Sequence, residues 1–522
     1  MRLLRLIFMV VSLGAAFAGR LVAEFRVEEA TIAQIQAAYL AGETSAVAVT
    51  RAHLARIAAY DKRGPIINSL VTVNPQALVE AAALDAEFAQ AKKLAGPLHG
   101  IPVIVKDNLD VAGLPMTSGF QGWKDYVPDA DAPVVRRIRA AGGIILAKSS
   151  LSEFAVGGID NINSVVAGFA RNPYNTAYAT GGSSGGTGAS VAASFGVIGV
   201  GTDTGGSVRM PAAHTALAGL RPTVGLVSRT GMVPLNSVRD TAGPMTRTVA
   251  DLAVFLDVLA GADPADAVTA RSAGHIPVSY TSALRGDALR GARLGVLRQV
   301  MKPDATDPRV LALFERALAE LRAAGAEIID PFVLDGFETI TRPPQTPARF
   351  KDDITRFIAA HPGIPFPSAD EIAKSGKLHP LHQAWMERAA AAGPVAEDKA
   401  TLEGLANEQR YRDLFTAAMD AQKIDAVIFP VWAQLPVLNG NRNTTPGGSL
   451  TFVASALQWP AMSVPMGWLE DDLPAGLQIL GRAWDESRLI SYAFAYEQAT
   501  HHRRSPATTP PLAATLVTTA SP

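Results

Sequence analysis

Two serines stand in glycine-rich loops of a kind that could do chemistry. Ser183 lies in Gly181-Gly182-Ser183-Ser184-Gly185-Gly186-Thr187-Gly188, and Ser207 lies in Gly201-Thr202-Asp203-Thr204-Gly205-Gly206-Ser207-Val208-Arg209, with the small apolar segment Ala189–Val200 between them. Glycines at this density admit positive φ and let amide N–H groups approach a ligand closely. N–H groups converging on one point suit a developing oxyanion. The pattern points to a serine hydrolase.

Two further features bear on that chemistry. The run Pro97-Leu98-His99-Gly100-Ile101-Pro102-Val103-Ile104-Val105-Lys106-Asp107-Asn108 closes a β-branched strand with a lysine. Burial disfavours a lysine's charge, so on pattern alone Lys106 reads as the exposed end of its strand. Gly182-Ser183-Ser184-Gly185-Gly186 also satisfies G-x-S-x-G, the nucleophile elbow, which would make Ser184 the nucleophile. An elbow needs an apolar strand directly before it, and Asn172–Thr180 reads as a loop.

The elements that must position these residues alternate helix and strand. Thr31–Leu40, Ser45–Tyr60 and Pro75–Leu94 read as amphipathic helices of an outer layer. Ala132–Ala141 reads as a helix, stopped by Gly142-Gly143 before the buried strand Ile144–Ala147. The same grammar recurs in strand Arg293–Val300, a helix capped by Asp307-Pro308 and ended by Gly325, and strand Ala326–Ile329. Thr248 to Asp251 has capping-box spacing with Asp in place of Glu or Gln. Ile424–Pro430, Ser463–Gly467 and Gly476–Gly481 close the chain as strands and turns. The fold class is therefore α/β, a mixed central sheet covered by helices on both faces. Residues from about 262 to 423 are expected to be a variable helical insertion or cap, and 503–522, rich in Pro, Thr and Ala, a disordered tail.

Composition sets outer limits. The chain has 522 residues, 48 % of them hydrophobic, enough for a large core. It has no cysteine, which excludes disulfides, thiolate metal sites and cysteine nucleophiles. A formal net charge of −1 gives no reason to expect nucleic acid or a membrane surface as partner. Residues 1–23 carry Arg2 and Arg5, the apolar run Leu6–Val11 and small residues at Ala16 and Ala18, the pattern of an export signal cleaved after Ala18 or Ala23. The mature protein is expected to be periplasmic or secreted, with residues 24–502 as its catalytic domain.

Taken together, the Gly-Gly-Ser-Ser-Gly-Gly run, the Gly-Thr-Asp-Thr-Gly-Gly-Ser-Val-Arg run, Gly100–Asn108 and the C-terminal Pro460-Ala461-Met462-Ser463-Val464-Pro465-Met466-Gly467 resemble the amidase signature family. The likeness extends in order from about Thr31 to about Thr500. It implies hydrolysis of carboxylic amides through a Ser–cis-Ser–Lys triad, with Ser207 as nucleophile, Ser183 as bridging serine and Lys106 as base. It also implies an oxyanion hole from the N–H groups of Thr204, Gly205, Gly206 and Ser207, and a cis peptide before Ser183. Gly182, Ser184, Asp203 and Arg209 would support these loops, and Asp107 and Asn108 would support Lys106.

The chemistry of the residues agrees with this resemblance. A serine hydroxyl needs a base, and His214, in a small-residue helix, and His501-His502, at the tail, are poorly placed to serve. His99 and His214 read as structural. A neutral lysine remains, provided an apolar pocket lowers its pKa. No metal or cofactor is required. Small, aryl or peptide-terminal amides are the expected substrates, with an ester or carbamate hydrolase, or one subunit of an amidotransferase, as alternatives. Phe154, Ile159, Trp432 and Trp459 are candidate pocket walls.

Overall fold

The computed structural model describes residues 25–156, 164–339, 347–440 and 450–512. The expected export signal at 1–23, Ile159 and the last ten residues of the expected tail lie outside them. Helices α1 (Ile32–Ala41) and α2 (Ala46–Tyr60) begin where Thr31 and Ser45 accept the N–H groups of Gln34 and Ala48. Each side chain satisfies a donor that the first helical turn leaves free. There follow β1 (Leu70–Val73), α3 (Ala77–Ala91), β2 (Pro102–Lys106), α4 (Pro133–Ala140) and β3 (Ile144–Ser149). The two glycine-rich serine loops fall among α5 (Gly185–Ala192), β4 (Ile198–Asp203), α6 (Arg209–His214), β5 (Ala218–Arg221) and β6 (Thr241–Thr246).

The chain continues through α7 (Val249–Leu259), β7 (Arg293–Val296), α8 (Pro308–Ala323) and β8 (Glu327–Ile329). Then come α9 (Pro347–Ala359), α10 (Ala369–Lys374), α11 (Pro380–Ala391) and α12 (Lys399–Ala421). The last elements are β9 (Ala426–Pro430), α13 (Phe452–Leu457), β10 (Ala461–Trp468), β11 (Pro474–Leu480) and α14 (Glu486–Thr500). Among the described residues no helix is long and apolar enough to cross a membrane.

The strands form one 11-stranded sheet in the order β1-β3-β2-β4-β6-β5-β10-β11-β9-β7-β8. Pairing is parallel within β3-β2-β4 and β9-β7-β8, and antiparallel through the middle of the sheet. Every residue of β2, β3, β4, β5, β6, β9 and β11 is buried, as a sheet with helices on both faces requires. The apolar face of α8, with Val310, Leu313, Phe314, Ala317, Leu318 and Leu321, is buried as its 3.6-residue period predicts. Full burial of each such Leu or Phe contributes about 1.5–3 kcal/mol.

Three expectations need correction. β7 and β8 belong to the central sheet, so residues 262–423 are not one helical insertion: the cap is α9 to α11, and its aromatic contacts reach Phe120, Trp123 and Phe154, while Tyr411, Phe415 and Met419 of α12 pack in the main core. Residues 503–512 are not a loose tail, because Arg503 pairs with Glu29 and the buried Arg56 donates to the carbonyls of Thr509 and Pro510. Proline-rich composition marks a segment that cannot supply its own core, yet these residues dock on one supplied by others. The expected capping box on α7 is half formed: Thr248 accepts the Asp251 N–H, while the Asp251 carboxylate accepts from Ile32 and ties α1 down. Trp432 and Trp459 lie in buried apolar clusters, and Phe154 packs among the cap aromatics.

Candidate active site

Lys106 is the last residue of β2 and is fully buried. Register decides where it points. Ile104 of β2 lies opposite Gly199 of β4, and Lys106 lies opposite Ser149 of β3. Side chains alternate along a strand, so Lys106 shares a face with Ile104, Gly199, Gly201 and Ser149. That face is covered by α5: a Cβ on Gly199 would meet Thr187, one on Gly201 would meet Ser184, and the Ser149 hydroxyl is 2.7 Å from that of Thr187. A lysine at the end of this strand is therefore enclosed, against the pattern-based expectation of exposure.

The Lys106 Nζ donates to Ser183 Oγ (2.7 Å) and to Thr202 Oγ1 (2.8 Å), and Asn108 Nδ2 donates to the same threonine oxygen (3.1 Å). Burial lowers its pKa to about 7, against the pull of Asp203 and Asp240, which act in the opposite direction. At neutral pH a large fraction of Lys106 is thus the free amine. The Gly182–Ser183 peptide is cis.

Ser207, half-buried, follows Gly205-Gly206, and its carbonyl accepts the Ser184 N–H at 3.1 Å, which clasps the two serine loops together. Ser184 itself is sequestered. Its hydroxyl donates to the Thr202 carbonyl (3.1 Å) and accepts the Thr202 N–H (3.2 Å), and the residue is fully buried. An elbow nucleophile needs an exposed Oγ. Ser184 does not have one.

Asp203 organises the Ser207 loop. Its carboxylate accepts the N–H groups of Gly206 (2.9 Å) and Val208 (3.1 Å) and pairs with Arg209 and Arg221, each at 3.0 Å. Burial alone would raise its pKa, but the two guanidinium groups and the backbone donors outweigh it and hold the carboxylate well below the ordinary range. Arg209 uses all five of its donors, on both Asp203 oxygens, the Thr451 carbonyl, Gln478 and Ser455. Asp203 and Arg209 thus form a buried ion pair beside the Ser207 loop, where the resemblance expects supporting residues.

The expected oxyanion donors divide. The Gly206 N–H already serves Asp203, and a Cβ there would meet Thr451 Oγ1 at 2.1 Å, with φ at +126°, so only glycine fits. Among the described residues no hydrogen bond takes up the N–H groups of Thr204, Gly205 or Ser207, and a Cβ on Gly205 would point into open space. The Thr204 hydroxyl donates to Asp240.

Other expectations are redistributed. Asn108 reaches Lys106 through Thr202, but Asp107 does not support Lys106: it lies 3.0 Å from Lys148 Nζ and accepts from Thr117. The two residues follow the strand in turn and point to opposite sides. His214 is buried against Trp432, its pKa lowered to about 3 by burial, and His99 Nδ1 accepts the Ala95 N–H. Sequence reasoning missed Thr202, Arg221 and Asp240 as members of the site. Thr202 could have been found, since it adjoins Asp203 in the same motif; nothing in sequence spacing marks the other two.

Comparison with known proteins matches the Amidase family over residues 48–490. The native peptide amidase of Stenotrophomonas maltophilia is 36 % identical, with a TM-score of 0.83, covering 92 % of this chain and 98 % of that one. An amidase family protein of Bacillus anthracis is 29 % identical with a TM-score of 0.83, covering 92 % of each chain. A glutamyl-tRNA(Gln) amidotransferase subunit of Symbiobacterium thermophilum is 33 % identical over 504 residues, 91 % of this chain and 98 % of that protein. The chain belongs to the Amidase family, of the amidase signature type, whose enzymes act on carbon–nitrogen bonds.

Proposed function

We propose that this chain is a free-standing amidase that hydrolyses carboxylic amides, small, aryl or peptide-terminal, through an acyl-enzyme on Ser207. The observation that carries the reading is the fully buried Lys106 amine, 2.7 Å from Ser183 Oγ and poised near neutrality. In the proposed reaction neutral Lys106 takes a proton from Ser183 while Ser183 takes one from Ser207, and Ser207 Oγ attacks the amide carbonyl carbon. The oxyanion forms against the N–H groups of Thr204, Gly205 and Ser207, each worth about 3 kcal/mol of barrier in such sites. The proton held by Lys106 returns through Ser183 to the leaving nitrogen, which departs as ammonia or an amine. Water then attacks the acyl-enzyme, losing its proton along the same route.

The family also includes amidotransferase subunits, and the likeness to the Symbiobacterium thermophilum protein makes that the second reading. A net charge of −1 offers no long-range attraction to a polyanion such as tRNA, which favours the free-standing enzyme. The pattern at 1–23 supports export, a further part of the proposal.

Labelling with a fluorophosphonate, followed by intact mass and peptide mapping, tests the site. The adduct is expected on Ser207, absent in Ser207→Ala, slowed at least 100-fold in Lys106→Ala and retained in Ser184→Ala, in keeping with losses of roughly 10²–10⁴ on removing a general base. An adduct on Ser184 would overturn the assignment. Ammonia release from an N-acetylated peptide amide by the purified chain alone, set beside release from glutamine, separates the two functional readings.

A further inference from the structure

Asp240 is a buried carboxylate beside the candidate site whose purpose the proposed reaction does not explain. It is 3 % exposed, and among the described residues it forms no ion pair. Its three hydrogen bonds come from the Thr204 hydroxyl and the N–H groups of Leu235 and Asn236, the last two at 2.9 Å. A carboxylate taken out of water without a cation is costly, and neutral side chains of similar shape would fill the space without that cost.

Its position suggests what the charge does. The β4–β6 ladder ends with Asp203 opposite Thr241, which brings Thr204 and Asp240 together at its open end. Arg221 fastens the same two segments, donating to the Asp203 carbonyl (2.6 Å) and to the Arg239 carbonyl (2.7 Å). The loop that begins at Thr204 is held further along by Asp203, on the Gly206 and Val208 N–H groups, and by Thr451, whose hydroxyl donates to the Gly205 carbonyl (2.7 Å); Thr204 is its anchor at the β6 side. Asp240 also acts on Lys106 through space.

We propose that Asp240 is a positioning residue for amide hydrolysis: through Thr204 it holds the N–H groups of the Ser207 loop in place. This rests on the assignment of Ser207, Ser183 and Lys106 above. The charged groups facing the pair are Asp203 from β4 beside Lys106, and Arg221 from β5, Arg229 from the β5–β6 connection and Asp353 from α9 around Asp240. Burial raises the Asp240 pKa to about 6, so above that pH it is negative and favours the ammonium form of Lys106, and its neutralisation lets Lys106 lose its proton at lower pH.

The test follows fluorophosphonate labelling of the full chain across pH, with saturation kinetics separating the maximal rate from the half-saturating concentration. In Asp240→Asn the maximal rate is expected to fall roughly tenfold with half-saturation nearly unchanged, and the acid-side inflection to move to lower pH by several tenths of a unit. Thr204→Val, which keeps the carboxylate, should lower the maximal rate but leave the inflection in place, and Thr204→Ser should restore the rate. These two variants test the loop role even if Asp240→Asn does not fold. Unchanged rate and inflection in Asp240→Asn, or an unchanged rate in Thr204→Val, would overturn the proposal while Ser207 still labels. An adduct away from Ser207 in the wild type would overturn the underlying assignment and the proposal with it.

Discussion

At the residue scale, the decisive group is Lys106, and its burial has a thermodynamic consequence. Its pKa drops from 10.5 to about 7 on folding. Between those values the unfolded chain binds the proton and the folded chain does not, so this group's contribution makes stability rise with pH through that window and penalises the folded state most below it. Lys106→Met removes the titration. Relative to wild type, the variant should be more favoured at pH 6 than at pH 9 by roughly 2 kcal/mol, read from urea unfolding at both pH values. A pH-independent difference would show that the lysine is not perturbed in this way. The same titration should give wild-type labelling an acid limb near pH 7. Sequence pattern placed a lysine at the end of a strand; whether that end was wet or dry depended on α5, Ser183 and Thr202, which no local rule brings there.

At the scale of elements, α5 sets the geometry of both serine loops. Its first turn lies against the backbone: the Gly186 N–H donates to the Ser150 carbonyl, and a Cβ on Gly186 would stand 2.4 Å from that oxygen and 2.5 Å from the Ser69 carbonyl. Backbone atoms of β3's exit and of the segment before β1 cannot rotate away as a side chain could. Gly186→Ala should therefore cost about 3 kcal/mol, lowering the urea midpoint, and should slow Ser207 labelling by displacing Ser183 and Ser184 at the helix start. A midpoint unchanged from wild type would mean the helix can shift freely. The glycine run announced a close approach of backbones; which glycines faced a neighbour and which faced open space, as Gly205 does, was not written in the run.

At the scale of the whole molecule, the cap is fastened to the core by side chains on segments that lead directly to the site. His361 of the α9 end is 2.7 Å from Asp110, four residues after Lys106, and His382 of α11 is 3.0 Å from Glu153, beside Ser152, whose N–H donates to the Ser183 carbonyl. Ser237 donates twice to Asp353 of α9. For His361, burial would lower the pKa, but the hydrogen bond and charge of Asp110 outweigh it and raise the value above 6.5. A raised folded pKa contributes stability below the unfolded value that is lost as pH rises through the folded one. Protection of α9 amides, after correction for intrinsic exchange, should fall as the pH rises past 6.5. In His361→Gln that pH dependence should largely vanish; its persistence would assign the effect to another group.

The sequence by itself determined the chemistry-bearing loops, the glycines in them, most helices and seven of the strands, because these depend on local spacing: the period of apolar residues, a cap, a stop, a motif read along the chain. It could not place β7 and β8 in the central sheet, dock residues 503–512, turn Asp107 toward Lys148 or bring Asp240 to Thr204. Those outcomes depend on pairings between segments far apart in the chain. The burial that lowers the Lys106 pKa and the ion pairs that fix Asp203 exist only once the sheet has assembled, because a charge feels the groups around it in space and not its neighbours in sequence.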